Sequence, residues 1–335
     1  MIKVGLIGCG FMGGMHAACY AALAPLGVKV VAVADVRSNF AKQLAGEDTA
    51  VFSSGMDLIA NADVDVVDIC LPTYLHTAHA VAAMKAGKHV FVEKPICLNE
   101  DEMELLLTTE KQTGVKVQVG QVIRQWTEYV WLKQAVDSGV YGKVLHAQFR
   151  RLSSLPTWAW ENWLHQMDKS GGVATDMHVH DVDFVRYILG EPDTVKAQAY
   201  RDEAGVIQQI NALFVYGDQV SVSVEAGWNY PPDFPFTADF RVKFEKATAV
   251  LSGGVLTVYP NEGGALQPEL AEAFQGDNNI GGNISSLGGY YNELKYFVEG
   301  LLGQNDLSVA TVEEAVASVK LVKKEIEAAG GLIAK

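Results

Sequence analysis

In the first 120 residues, short apolar runs rich in β-branched residues alternate with longer amphipathic stretches. The apolar runs predict strands at 2–7, 28–34, 64–71, 89–92 and 115–119. The amphipathic stretches predict helices at 12–23, 39–44, 77–86 and 100–113. Strands that are apolar throughout are typical of a parallel sheet covered on both faces by crossover helices. The sequence therefore predicts an α/β, doubly wound N-terminal domain over residues 1–120.

From residue 121 onward the pattern changes. Val220, Val222 and Val224 alternate with polar residues, which is typical of a sheet with one buried face. Further strands are predicted at 143–151, 195–200, 207–216, 240–244, 249–251 and 255–258. Helices are predicted at 126–136, 179–189, 290–302 and 312–328, and a Gly- and Asn-rich loop at 261–289. Residues 121–335 are thus predicted to form an α+β domain with an antiparallel sheet.

Composition excludes several classes of function. The 335 residues include 26 Lys+Arg and 40 Asp+Glu, a formal charge of −14. This acidity disfavours binding to nucleic acid or anionic lipid, because both partners select a basic surface. No run of 18 apolar residues predicts a membrane span, and too few residues precede Cys9 for a lipoprotein export segment. The four cysteines form no CxxC pair, so we expect free thiols and a cytoplasmic location.

A glycine motif follows the first predicted strand. Gly8-Cys9-Gly10-Phe11-Met12-Gly13 fits GxGxxG, in which glycines permit a tight turn and close approach of the backbone to a pyrophosphate. Asp35 ends the second predicted strand, where a carboxylate accepts both ribose hydroxyls of NAD and repels the phosphate of NADP. Arg37 keeps NADP open as a less favoured cofactor. The alternative is that Asp35 only caps the next helix.

Two further groups of residues suggest chemistry. Lys94 follows the strand at 89–92, at the edge where doubly wound sheets bind ligands, and its ammonium can stabilise a developing alkoxide. The alternative is that Lys94 only forms an inert surface ion pair with Glu93. If residues 176–187 are helical, Asp176 lies one turn from His180 and can orient its imidazole for proton transfer. The alternative is that Asp176 caps a helix and His180 is a core residue.

A metal site at His178-x-His180 is not expected. On a helix these two side chains do not face each other, and no cysteine or further histidine stands at a supporting spacing. Structural roles are therefore expected for His178 and Asp181.

Taken together, four ordered motifs resemble the Gfo/Idh/MocA family of glucose-fructose oxidoreductases and inositol dehydrogenases. They are Gly8-x-Gly10-x-x-Gly13, Leu71-Pro72-Thr73-Tyr74-x-His76, Gly87-Lys88-His89-Val90-x-x-Glu93-Lys94-Pro95 and Gly171-Gly172-x-x-x-Asp176-x-x-x-His180-Asp181, with a closing Tyr291-x-x-Glu293-x-x-x-Phe297. The resemblance implies a Rossmann domain followed by a domain with a large, mostly antiparallel, open-faced sheet. It also implies a homodimer or homotetramer, and final helices that return to the first domain.

The resemblance further implies hydride transfer between NAD(P) and a secondary alcohol carbon of a sugar, cyclic polyol or glycoside. By motif, Lys94, Asp176 and His180 match the family's catalytic residues, although the formal base, Lys94 or His180, stays open. Residues expected along the cofactor are Leu71, Pro72, Thr73, His76, Glu93 and Gln121. An enzyme that retains NAD and recycles it within one turnover is the main alternative, and an NAD-sensing regulator is a weaker one.

Substrate residues are less well specified by the motifs. Arg124 matches an arginine that the family carries after its sixth strand, and Asp183 offers a carboxylate to sugar hydroxyls. Trp160 and Trp163 belong to a Trp-rich stretch whose rings can stack on a sugar. The alternative is that some of these tryptophans are core residues. Tyr230 is a weaker candidate for the pocket.

Overall fold

The computed structural model describes residues 1–272, 274 and 287–331. The chain divides into two compact units. The first comprises Met1–Trp126 with Ala273–Val316, and the second comprises Thr127–Glu272 with Ala317–Lys335. Much of the loop predicted at 261–289 lies outside the described residues.

The first unit contains a six-stranded parallel sheet. Its strands are β1 (Ile2–Ile7), β2 (Val28–Ala34), β3 (Ala50–Phe52), β4 (Val66–Ile69), β5 (His89–Glu93) and β6 (Val117–Gly120). Helices alternate with them: α1 (Phe11–Ala22), α2 (Ser38–Leu44), α3 (Gly55–Asn61), α4 (His76–Lys85) and α5 (Glu100–Thr113). The strand order is β3-β2-β1-β4-β5-β6, and every pairing is parallel. The predicted doubly wound domain is confirmed, and its order reverses between β1 and β4, where such folds bind ligands.

The second unit is built on a seven-stranded sheet. Its helices are α6 (Thr127–Ser138), α7 (Met167–Ser170), α8 (Gly172–Asp176) and α9 (Val179–Leu189). Its strands are β7 (Val144–Ser154), β8 (Thr194–Arg201), β9 (Ile207–Tyr216), β10 (Val220–Tyr230), β11 (Thr237–Phe244), β12 (Ala247–Ser252) and β13 (Val255–Pro260). The order is β13-β12-β11-β7-β10-β9-β8, and only β7 and β10 pair in parallel. The mostly antiparallel sheet is therefore confirmed.

The two faces of this sheet differ in polarity. Along β10, Val222 and Val224 are fully buried, whereas the alternating Ser223 and Glu225 are partly exposed. Helix α9 packs against β7 within this unit. The exposed face carries polar pairs such as Arg150 with Asp239. The alternation that predicts a one-sided sheet is thus present.

Two helices complete the described chain: α10 (Gly288–Leu301) in the first unit and α11 (Val312–Ala328), which passes from the first unit into the second after Val316. Both lie where the periodicity predicts helices. No helix among the described residues combines the length and hydropathy that a membrane crossing requires.

Candidate functional site

The glycine loop between β1 and α1 is packed too tightly for larger residues at two of its three motif glycines. Gly8 has a φ of +91°, and a β-carbon there would lie 2.4 Å from the carbonyl oxygen of Cys70. At Gly13 a β-carbon would lie 1.9 Å from the carbonyl oxygen of Gly8. By contrast, a β-carbon at Gly10 would meet nothing nearer than a guanidinium nitrogen of Arg37 at 3.6 Å. The loop thus has no room for a side chain at Gly8 or Gly13, whereas the backbone at Gly10 is open to a ligand.

Helix α1 starts directly at this loop. No side chain caps its N-terminus at Gly10, and its first turn holds no acidic residue. Helix α5 differs: Asn99 caps it by accepting the amide hydrogen of Glu102, and three acidic residues occupy its first turn. An uncapped N-terminus without carboxylates is suited to an anion such as a pyrophosphate, because amide donors and the helix dipole favour negative charge there.

Asp35 lies at the end of β2 beside the loop. Its Oδ2 accepts the Cys9 amide hydrogen at 2.9 Å, and its Oδ1 accepts the Arg37 amide hydrogen at 2.8 Å. The Arg37 guanidinium also donates to both oxygens, at 3.1 and 3.2 Å. Burial alone would raise the pKa of Asp35, but the hydrogen bonds from Arg37 and Cys9 lower it. The residue is therefore a carboxylate at neutral pH, anchored to the glycine loop.

A second group of predicted residues follows the adjacent strands β4, β5 and β6. Thr73 belongs to a short 3-10 helix after β4, Lys94 follows β5, and Gln121 follows β6. Thr73 and Gln121 are each 2% exposed, and neither the Thr73 hydroxyl nor either polar atom of the Gln121 amide has a hydrogen-bond partner. Because buried polar groups are nearly always paired, these atoms point to a polar ligand at this edge of the sheet.

His76 and Glu93 have protein partners at the same edge. The His76 ring nitrogens lie 2.7 and 2.8 Å from the carbonyl oxygens of Leu71 and Pro95, so this ring ties the segment after β4 to the segment after β5. Glu93 accepts the Lys94 amide hydrogen at 3.0 Å. Leu71, Pro72, Phe11 and Lys94 are partly exposed, and Met12 lies in the first turn of α1.

These observations fit a dinucleotide. The glycine loop and the start of α1 would hold the pyrophosphate, Asp35 the ribose hydroxyls, and the polar atoms of Thr73 and Gln121 the nicotinamide end. A bound NAD would supply a hydride acceptor at this edge.

In the second unit, Asp176 is the last residue of α8 and His180 is in the first turn of α9. Met177 and His178 form a turn between the two helices. Asp176 and His180 therefore do not lie on one continuous helix. Asp176 and His180 are both partly exposed, unlike most of their neighbours.

The predicted substrate residues differ in accessibility. Asp183 is fully buried and accepts the Ser318 hydroxyl hydrogen at 2.7 Å, and Arg124 is 3% exposed and pairs with Glu314 at 3.3 Å. Trp160 and Trp163 are partly exposed in a 3-10 helix over Trp160–His165. Tyr230 ends β10, is partly exposed, and stacks on Phe234 with ring centroids 4.3 Å apart. Both tryptophans and Tyr230 thus offer ring surface, whereas Asp183 and Arg124 are held by other side chains.

His178 and Asp181 have structural partners, in line with the structural roles expected for them. His178 Nε2 lies 2.5 Å from Glu325 on α11, and both side chains are fully buried. The Asp181 carboxylate accepts from the buried Arg151 guanidinium at 2.8 and 3.1 Å. These pairs hold α9 to α11 and to β7.

Several buried titratable residues have no role predicted from the sequence, and three of them belong to one cluster. They are His16 on α1, Asp68 on β4 and Glu293 on α10. Asp68 carries a detectable signal, since it places a charge inside an otherwise apolar buried strand. His16 and Glu293 have no such signal, because their proximity to Asp68 and Glu93 arises only on folding.

A doubly wound sheet, a glycine loop after its first strand and a carboxylate at the end of its second strand are the features of a dinucleotide-binding protein. Two family models match the chain: residues 2–121 match the Gfo/Idh/MocA model described as an oxidoreductase family with an NAD-binding Rossmann fold, and residues 129–250 match the Gfo/Idh/MocA C-terminal domain. Together they cover most of the sequence, so the chain belongs to the Gfo/Idh/MocA oxidoreductase family.

Individual relatives agree with this assignment. The chain is 33% identical over 225 residues to inositol 2-dehydrogenase of Rhizobium meliloti, covering 67% of the chain and 64% of the relative. It is 29% identical over 210 residues to 2,7-anhydro-N-acetylneuraminate hydratase of Escherichia coli, covering 58% of the chain and 52% of the relative. The chain thus matches less than two thirds of either relative's length. A solved levoglucosan dehydrogenase in complex with NADH and levoglucosan has the same fold, with a TM-score of 0.81, 22% identity and coverage of 98% and 97%.

Proposed function

We propose that the protein is an NAD-dependent dehydrogenase that oxidises a secondary alcohol of a sugar, a cyclic polyol or a glycoside. One observation carries the proposal: Thr73 and Gln121 present unpartnered buried polar atoms at the strand edge that also bears Lys94, in a unit whose glycine loop and Asp35 fit a dinucleotide. The similarity to an inositol dehydrogenase and to a levoglucosan dehydrogenase supports this substrate class.

The chemistry assigns a role to each predicted catalytic residue. Lys94 donates a hydrogen bond to the reacting oxygen and stabilises the negative charge that develops on it. His180 takes the hydroxyl proton, and Asp176 orients the imidazole for that transfer. Lys94 remains the alternative base, because an amine can also take the proton of a hydroxyl group. NAD+ held by the glycine loop and Asp35 would supply the hydride acceptor, so that the oxidation would yield a ketone, NADH and a proton.

The coenzyme is proposed to be NAD rather than NADP. Asp35 is an ionised acceptor for ribose hydroxyls, and its charge repels a 2′-phosphate. Arg37 could instead pair with such a phosphate, yet its guanidinium already donates to both oxygens of Asp35. The ratio of kcat/KM for NAD+ to that for NADP+ tests this assignment, and a ratio below one would reverse it.

The activity is tested with purified protein, NAD+ and a panel of inositols, aldoses and anhydrosugars. NADH absorbance should appear with at least one compound and should be lost in Lys94→Met and His180→Ala. Lys85→Met is the matched control, since Lys85 is exposed in the last turn of α4 and should leave the rate unchanged. Absence of NADH with every compound, or full activity in both site variants, would refute the proposal.

A second candidate is an enzyme that retains NAD and returns it to its starting state in each turnover. The hydratase among the relatives favours it, because adding water causes no net oxidation. Protein that is purified with about one bound NAD per chain and converts substrate without accumulating NADH would support this candidate. Free exchange of NAD would exclude it.

We also propose that the protein is a cytoplasmic homodimer or homotetramer. None of the four cysteines forms a disulfide, as in a reducing compartment, and the open sheet of the second unit leaves a face for self-association. Light scattering after gel filtration tests the assembly, and a mass of one chain would refute it.

A further inference from the structure

A buried polar cluster lies within the first unit. It consists of His16 on α1, Asp68 on β4, Cys70 just after β4, Glu93 on β5 and Glu293 on α10. His16 and Asp68 are fully buried, and Glu293 and Glu93 are 3% and 7% exposed. So many titratable groups in a core need a physical account, because an isolated buried charge is strongly unfavourable.

His16 is the centre of the cluster. Its Nδ1 lies 2.9 and 3.1 Å from the two carboxylate oxygens of Asp68, and its Nε2 lies 3.2 Å from Glu93 Oε1. Neutral imidazole donates from only one nitrogen, so a ring between two carboxylates is doubly protonated. Burial alone lowers the pKa of His16, but the Asp68 carboxylate outweighs it and raises the pKa well above the usual value. His16 is therefore an imidazolium at neutral pH.

Glu293 is the uncharged member of the cluster. Neither of its carboxyl oxygens has a hydrogen-bond partner, and one of them lies within 4.8 Å of a ring nitrogen of His16 and of a carboxylate oxygen of Glu93. Burial and the neighbouring Glu93 raise the pKa of Glu293 well above its usual value, so it keeps its proton. Burial also acts against ionised Glu93, but the hydrogen bond from His16 prevails and lowers the pKa of Glu93.

This cluster connects the glycine loop to Lys94. His16 stands three residues after Gly13 on the helix that starts at the loop. Glu93, held by His16 through Oε1, accepts the Lys94 amide hydrogen through Oε2 at 3.0 Å. A rigid path therefore runs from the helix that would hold the pyrophosphate to the backbone of the lysine that would hold the substrate oxygen.

We propose that His16, held by Asp68, is a positioning residue that fixes Lys94 relative to the bound dinucleotide by bridging Asp68 and Glu93 as an imidazolium. The inference rests on the proposed function, because it assigns Lys94 a role in hydride transfer. His16 itself touches neither substrate nor cofactor in this scheme.

The variant that tests it is Asp68→Asn, which keeps an acceptor oxygen for Nδ1 and removes the charge that favours the second proton. The titratable groups around His16 come from four parts of the unit: Cys19 and Tyr20 on α1, Asp68 and Cys70 on and after β4, Glu93 on β5, and Tyr290 and Glu293 on α10. With Asp68 neutralised, Glu93 is the carboxylate that still contacts His16, so the pKa of His16 falls and the bridge breaks as pH rises.

The expected result is a ratio of kcat between Asp68→Asn and wild type that is near one at about pH 6 and falls roughly ten- to a hundredfold by about pH 8, because misplacing a catalytic group by about 1 Å costs up to about a hundredfold. KM for NAD+ should change less than kcat. Asp63→Asn is the matched control, since Asp63 pairs with Lys3 on the surface and its loss should leave the ratio flat. A flat ratio for Asp68→Asn would overturn the proposal.

A second measurement is independent of turnover. Nitrogen-15 NMR of labelled histidine should find both nitrogens of His16 protonated at about pH 8 in the wild type, a state that an ordinary histidine has lost. A neutral His16, or a stoichiometric divalent metal released on denaturation, would overturn the proposal, even if Asp68→Asn does not fold. If the wild type oxidises no substrate yet His16 is doubly protonated, the dehydrogenase assignment fails, whereas the imidazolium bridge between Asp68 and Glu93 is supported.

Discussion

The glycine loop offers a sharp contrast between two adjacent residues. In Gly13→Ala the new β-carbon would lie 1.9 Å from the Gly8 carbonyl oxygen and 2.9 Å from its carbonyl carbon, both backbone atoms. Neither can rotate away, so the loop or α1 must shift. In Gly14→Ala the new methyl meets nothing within 4 Å, and alanine favours the helix by about 1 kcal/mol.

Overpacking of this kind costs about 1–3 kcal/mol. If NAD requires the unshifted loop, the same energy appears as a roughly 5- to 150-fold weaker affinity. We therefore predict that Gly13→Ala binds NADH at least about fivefold more weakly by fluorescence titration, whereas Gly14→Ala binds like the wild type and unfolds at equal or higher urea concentration. Equal affinities in the two variants would refute the reasoning that close packing of this loop forms the pyrophosphate site.

Three further predictions concern single carboxyl groups. Asp35→Ala should raise KM for NAD+ by roughly ten- to a hundredfold, because charged hydrogen bonds to the coenzyme are lost. The variant should also release the Arg37 guanidinium and thereby raise kcat/KM for NADP+. Unchanged kinetics with both coenzymes would contradict this prediction. Glu293→Gln should become more stable relative to the wild type as pH rises above about 4.5, because the folded wild type holds a carboxyl group with a raised pKa and loses stability over that range. Urea unfolding at several pH values measures the difference in stability. A difference that does not depend on pH would exclude a protonated Glu293. Asp181→Asn should destabilise the second unit by about 3–5 kcal/mol, because Arg151 would stay buried beside a neutral amide; a loss below about 1 kcal/mol by urea unfolding would contradict it.

The fold is largely predictable from the sequence because its signals are local. Apolar periodicity reports β1, β2, β4, β5 and β6 and the helices between them, since these strands are covered on both faces. Strand β3 and helix α3 were not predicted: β3 has only three residues, two of them exposed, and therefore lacks an apolar run. Short edge elements owe their formation to the neighbouring strand rather than to their own sequence.

The candidate site is predictable to a smaller extent. The glycines and Asp35 stand at fixed spacings around one strand–helix turn, so the sequence carries their geometry. The spacing of Asp176 and His180 predicts one helix, but the structure ends α8 at Asp176 and begins α9 at Val179. The partners of His16 are absent from any local pattern, because they come from strands and a helix far apart in the chain.

The most direct test of the central claim follows the hydride itself. Wild-type protein is incubated with NAD+ and a polyol or anhydrosugar that is deuterated at its carbinol carbons. The mass of the coenzyme is then measured by mass spectrometry. We predict that each NADH formed carries one deuterium, and that Lys94→Met forms none while Lys85→Met matches the wild type. NADH without deuterium, or no NADH from any compound of the panel, would contradict the account.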